Sequence, residues 1–356
     1  MVAVLLISLI SFVIHHSYAN PFMVVSHPFK NSGSKSNLFE VLEWKSGIIS
    51  KTGHFFQMEC VTDGTIIFIE DGQWGIVAQD RGSVGIFRLS STGKPTVVKP
   101  AFHLNKCYAS RIIADPKNIS RVFILDGDSV GGIYALRIST SGDVIDEGLY
   151  MPAVLPVNLI FPAVGDGSAL LIGMNGVILI INWPSKAILF NISAFKDNNA
   201  IVSTATLTYD QRYLVVLDDN TVTGHTRLAV LWVDVTTNLL SRVQLITRGI
   251  KDPTSIVCSP YNNAMLMTSC QGNAIVLLSY NVFNTTHPLN NEGPIIVSGE
   301  APQLPTTIIA MYGTNGNSAR VLVSELLGVR QIEFTSVGGA RDFGWLCGYE
   351  KAVILS

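Results

Sequence analysis

The chain has 356 residues, of which 48% are hydrophobic and 14% charged, a balance that permits a large core and excludes intrinsic disorder. A net charge of −2 gives no electrostatic footing for nucleic acid or an anionic membrane surface, so neither is expected as a partner.

Read in order, the chain opens with MVAVLLISLISFVIHHSYA, whose apolar core runs from Val2 to Ile14 and whose end, Ser17 and Ala19, is small-x-small. That pattern predicts a secretory signal peptide, residues 1–19, cleaved after Ala19. The apolar run is shorter than the roughly 18 residues a spanning helix needs. No later window is long enough to span a bilayer, so the mature protein is expected to be secreted, extracellular, free of the membrane and monomeric. Residues 20–37 are turn-rich and end in a Ser/Gly/Lys tract, which predicts a flexible leader before a single domain over 38–356.

Five cysteines follow: Cys60, Cys107, Cys258, Cys270 and Cys347. No CxxC or CxH pair exists, which removes the common zinc readings. Cys258 and Cys270 fall out of register across a hairpin turning at Asn262 and Asn263, so no bridge between them is expected.

From Leu38 onward the chain repeats. Second strands are predicted at GIVAQD from Gly75, VFILDGD from Val122, LLIGMN from Leu170, LVVLDD from Leu214, MLMTSC from Met265 and VLVSEL from Val321. Each is followed by a polar loop, an apolar third strand such as LAVLWVDV, a turn and a more polar fourth strand such as LSRVQLIT. Successive units start 47, 48, 44, 51 and 56 residues apart, a drifting period of about 49 that excludes the shorter repeat of a parallel β-helix. The fold class is therefore all-β, a propeller of four-stranded antiparallel blades, with six or seven blades. Seven is the expectation, because LFEVLEWKSGIISKTGHFFQMEC can supply the third and fourth strands of a last blade, and WLCGYEKAVILS its first and second. The chain stops in mid-strand at Ser356, compatible with a truncated end.

The hairpin turns ADPKN and SPYNN, with the strands RYLVVLDD, LAVLWVDV and LSRVQLI, resemble the lactonase-like seven-bladed propellers, the group that includes 6-phosphogluconolactonase of the bacterial type and the fungal muconate-cycloisomerase relatives. The likeness covers Lys106 to Asn281. It implies hydrolysis or closure of a sugar or muconate lactone near a central channel, although that family's site histidine and arginine find no motif-matched positions here.

In a propeller, the second-to-third and fourth-to-first connections gather on one face, where function is usually carried. That face is expected to present His103, Arg111, Asp126, Asp218, His225 and Arg341 as catalytic candidates, with Gln79, Asp80, Arg81, Asn105, Lys106, Tyr108, Asp128, Asp219, Asn220, Lys251, Asp252, Gln271, Glu325 and Asp342 on the same rim. One imidazole would act on water while Arg111 or Arg341 steadies an oxyanion. Asx turns explain Asp126, Asp128, Asp218 and Asp219 better than catalysis does, and either histidine can be a surface residue. DGDSVGG lacks the spacing and closing Glu of a calcium loop, and neither GxSxG nor a phosphate-binding glycine loop occurs. No cofactor or metal is expected.

Three glycosylation sequons begin at Asn118, Asn191 and Asn284. Two function classes follow: a secreted propeller that binds a small molecule, glycan or protein through its loop face, or a lactone hydrolase or isomerase.

Overall fold

The computed structural model describes residues 22–27, 36–45, 48–59, 66–69, 74–79 and most of 83–348. Within the last span it leaves out 105–106, 108, 128–130, 154, 164–166, 198, 221–224, 235, 260–261, 298–300, 303–304, 306–307, 313–318, 326–327 and 336–338. The expected signal peptide lies outside the described residues. All described elements are strands or turns, as the repeat predicts.

Six four-stranded antiparallel meanders make the blades. Blade 1 is β4 (Ile66–Ile69), β5 (Trp74–Gln79), β6 (Ser83–Leu89) and β7 (Pro95–His103). Blade 2 is β8 (Ala109–Ala114), β9 (Arg121–Asp126), β10 (Gly132–Ile138) and β11 (Val144–Pro152). Blade 3 comprises β12 (Pro156–Ile160), β13 (Ser168–Gly173), β14 (Val177–Asn182) and β15 (Ala187–Ser193). Blade 4 comprises β16 (Val202–Leu207), β17 (Tyr213–Asn220), β18 (His225–Asp234) and β19 (Leu239–Ile246). Blade 5 is β20 (Pro253–Cys258), β21 (Ala264–Ser269), β22 (Ala274–Tyr280) and β23 (Leu289–Pro294). Blade 6 is β24 (Ile308–Tyr312), β25 (Ala319–Glu325), β26 (Gly328–Phe334) and β27 (Ala340–Gly348). All six predicted second strands fall on observed ones.

The ends differ from expectation. Trp345 to Gly348 belong to β27, the fourth strand of blade 6, rather than to the first strand of a shared blade. The N-terminal piece forms β2 (Ser36–Lys45) and β3 (Ile48–Glu59), and these pair with β1 (Phe22–His27), a strand inside the segment expected as flexible leader. Three strands, not a complete seventh blade, are described there. The single domain expected over 38–356 also groups into two compact units, residues 1–156 and 157–356.

In the first unit, β3 runs alongside β7. Phe39, Phe56 and Phe87 join the N-terminal sheet to blade 1, with ring centroids 5.0 and 4.6 Å apart. The Phe87 ring lies over Gly75, its cross-strand partner, where a Cβ would stand 2.0 Å from the ring. Glycine is there because the aromatic occupies the side-chain space.

In the second unit the inner strands have no watery face. β21 is buried throughout and β13 nearly so, as expected of strands sandwiched between neighbouring sheets. Alternation sorts the contacts: Leu214 and Val216 pack with blade 3, while Tyr213, Val215 and Leu217 pack with blade 5. Fourth strands such as β15 are mostly exposed, which accounts for their polar composition.

Each third strand ends in a residue that caps the following turn. Ser90 accepts from the Thr92 and Lys94 amides at 3.3 and 3.0 Å, and Ser139 from Asp143 at 2.9 Å. Asn182 accepts from Ser185 at 3.1 Å, Asp234 from Thr236 at 3.0 Å, Asn281 from Phe283 at 3.0 Å and Thr335 from Gly339 at 2.8 Å. Short polar side chains do this because they reach their own backbone two to four residues on.

Candidate functional site

The loop end of each blade is organised by its first strand. In blades 2, 4 and 5 the pairing of first and second strands begins with a bulge, anchored at Ala109 opposite Asp126, Val202 opposite Asp218 and Pro253 opposite Ser269. The bulged residues are Ser110, Ser203 and Thr254. Ser203 donates to the Pro253 carbonyl at 2.8 Å and so fastens the first strand of blade 4 to that of blade 5, whereas Thr254 donates to the Pro305 carbonyl ahead of β24 at 3.4 Å and Ser110 to the Leu125 carbonyl of its own blade at 2.9 Å. Asp126 and Asp218 thus hold the same place in their blades.

Asp218 is fully buried and faces blade 3. Its Oδ2 takes the Arg227 Nε at 2.7 Å, and its Oδ1 takes the Ile201 amide at 2.8 Å. Arg227 sits directly across the ladder and extends its fork to both oxygens of Asp197, each at 2.6 Å. The guanidinium also lies 4.5 Å from the Phe195 ring centroid. Hydrogen bonds to Asp197 and then Asp218 hold the guanidinium proton more tightly still. A carboxylate neutralised in this way is a structural ion, not a base with a lone pair to offer.

Asp219, the next residue, points the other way, toward blade 5. Its carboxyl shares a hydrogen bond with Asp252, and burial first, then the Asp252 hydrogen bond and charge, push its pKa up to about 8. Asp252 has φ of 47°, a backbone conformation that Asp tolerates better than most residues. Cys270 lies beside the pair: its amide donates to the Asp252 carbonyl at 3.0 Å, and burial followed by the Asp252 charge raises its thiol to about 11. Near pH 7, therefore, the Asp219 carboxyl keeps its proton beside Asp252 on the seam between blades 4 and 5. Such a pair can donate or accept one proton.

The remaining candidates lie on different strands. In the first unit, Asp126 is buried at the end of β9, and burial followed by the Asp126 charge raises the Cys107 thiol. Arg111 sits one place past the bulge, opposite Leu125, and burial lowers its pKa. His103 ends β7, exposed on the outermost strand of blade 1. In the second unit, His225 opens β18 opposite Asn220. Arg341 lies opposite Glu333 at the hairpin end of blade 6, whereas Glu325 and Gly328 pair at its other end, so this arginine is not on the loop face of its own blade. It rests instead on the Phe343 ring, 5.0 Å from the centroid. The buried cation of blade 6 is Arg330, bonded to Glu325 at 2.6 Å and Asp342 at 3.0 Å.

Asp197, Arg227 and Arg330 were not singled out by sequence reasoning, and Cys270 was read only as a cysteine without a bridge to Cys258. The available signal was a charge inside an otherwise apolar strand, as in TRLAVLW and GVRQIEF. Among the described residues, no group of three His, Cys, Asp or Glu side chains is placed to hold a metal ion. Cys107, Cys258 and Cys270 are free thiols.

Six antiparallel four-stranded blades with this bulge-and-cap repeat define the chain as a β-propeller. Neither a family model nor a curated protein sequence matches it. Solved structures do. The periplasmic gluconolactonase PpgL of Pseudomonas aeruginosa aligns with TM-score 0.67 at 15% identity, over 83% of this chain and 86% of that one. A candidate 6-phosphogluconolactonase from Bacteroides fragilis gives 0.62 at 15%, over 82% and 84%. Sqt1 of Saccharomyces cerevisiae gives 0.62 at 13%, over 96% and 85%. At these identities the likeness is one of fold.

Proposed function

We propose that this chain is a secreted propeller that binds a small molecule, glycan or protein at the loop ends of its blades and performs no chemistry on it. The observation that carries this reading is Asp218, which is fully buried and clamped by Arg227. The most conspicuous acidic position of the loop face is spent on holding two blades together. His103 and Arg341 lie on the outermost strands of their own blades, and Arg341 at the hairpin end of its blade.

A second reading, lactone hydrolysis or isomerisation on a sugar or muconate-type lactone, is favoured by the Asp219 carboxyl beside Asp252, whose raised pKa suits acid catalysis. PpgL and the Bacteroides protein lend it support by name. The deciding assay is ring opening of sugar and aromatic lactones by the purified mature chain beside Asp219→Asn. Absence of turnover supports the binding reading. Turnover that falls by about 10² or more in the variant supports the second. A ligand from a glycan or metabolite panel is expected to stabilise the folded chain by about 2.7 kcal/mol at a hundredfold excess over its Kd, read as a rise in Tm.

We also infer a seventh blade. Because β3 runs alongside the fourth strand of blade 1, β1, β2 and β3 take the second, third and fourth ranks, leaving the innermost to be supplied.

A further inference from the structure

We propose that Asn118 and Asn284 carry N-linked glycans, an inference that rests on the export reading above. Asn118 lies in the hairpin turn between β8 and β9, and its Oδ1 accepts the Ser120 hydroxyl at 2.9 Å and the Ser120 amide at 3.2 Å. Asn284 lies exposed in the connection between β22 and β23, where its Oδ1 accepts the Thr286 hydroxyl at 3.2 Å and the Thr286 and His287 amides at 3.3 and 3.0 Å. Both tripeptides are thus folded into a turn in which the hydroxyl two residues on polarises the acceptor amide through its oxygen. Neither Nδ2 donates a hydrogen bond among the described residues.

The neighbouring side chains are the independent observation. Among the described residues, the three most exposed large apolar side chains are Ile296 at 94%, Phe283 at 90% and Ile119 at 69%. Two of these three sit within or next to a sequon, Ile119 between Asn118 and Ser120, and Phe283 directly before Asn284. A bare phenylalanine on a loop invites association, and a bulky hydrophilic glycan on the adjacent residue covers it. Asn191 is the contrast. It is held in the β14–β15 ladder opposite Leu179, and the Ser193 hydroxyl is turned away to the Phe195 carbonyl at 2.5 Å. The third sequon therefore lacks the turn.

The reaction is glycosyl transfer from an isoprenoid diphosphate oligosaccharide. The asparagine Nδ2 forms a bond to the anomeric carbon, the bond from that carbon to the diphosphate oxygen breaks with its electron pair leaving on the diphosphate, and the amide proton passes to a base of the transferase. Both modified turns lie at the hairpin ends of their own blades, so the glycans leave the loop ends free.

The test expresses the full chain in secretory eukaryotic cells, once with its own residues 1–19 and once with a proven cleavable signal in their place, followed by amidase deglycosylation and peptide mapping of the wild type. Expected are two mobility steps, one removed by Asn118→Gln and the other by Asn284→Gln, with mapping placing glycans on these two residues. Delivery only by the substituted signal sinks the export reading and leaves the sequon proposal to be read from that fusion. An unmodified chain from the fusion, or glycan on Asn191 alone, overturns the proposal. Because mapping uses the wild type, a variant that fails to fold does not obscure the answer.

Discussion

Asp218 and Asp219 are adjacent in sequence and opposite in role, because strand alternation sends one toward blade 3 and the other toward blade 5. Removing Arg227 leaves Asp218 buried without its counter-ion, so Arg227→Ala is expected to cost about 3–5 kcal/mol in urea unfolding, whereas the double change Asp218→Asn with Arg227→Met restores part of the loss. Asp219 gives a pH signature of definite sign. The folded chain keeps this proton up to about pH 8, whereas the unfolded chain releases it near 3.8. Between those values the folded state binds more protons, and stability falls as pH rises. Tm is expected to be higher at pH 6 than at pH 8.5, with the difference reduced in Asp219→Asn. An unaltered pH profile in that variant would remove the retained proton from the account.

At the scale of strands and turns, Gly75 offers a direct check on packing. A methyl group there meets the Phe87 ring, so Gly75→Ala is expected to cost about 1–3 kcal/mol, and pairing it with Phe87→Leu should recover stability. Much of this level was legible in the sequence. The apolar runs from Val122, Leu214 and Met265 read as buried strands because both of their faces are covered, and LSRVQLIT read as an outer strand because one side meets water. Arg227 and Arg330 were not legible, since a lone cation in a strand identifies neither the carboxylates that meet it nor the side of the sheet it takes. The bulges at Ser110, Ser203 and Thr254 were hidden for a similar reason: an extra residue shows only when the partner strand's register is known. The strand at Phe22–His27 was missed because the Ser, Gly and Lys residues after it dominated the composition of the segment.

For the molecule as a whole, the open question of the seventh blade has a local readout. β1 pairs with β2 along one edge, so half of its amides point to the other. If a strand of first rank is present, hydrogen exchange is expected to be slow at every amide from Phe22 to His27. Fast exchange at alternate positions would leave six blades and a three-stranded annex. The fold itself is independent of that outcome, since PpgL and Sqt1 share it at 15% and 13% identity.

The six turn caps show how a fold can persist while its text drifts. Ser90, Ser139, Asn182, Asp234, Asn281 and Thr335 perform one task with four different residue types, because a backbone N–H donates to any side-chain oxygen within reach. Selection acting on the bond rather than the letter lets each blade wander separately. Six blades of one architecture can therefore carry six different texts, because each turn asks only for an oxygen within reach of its backbone.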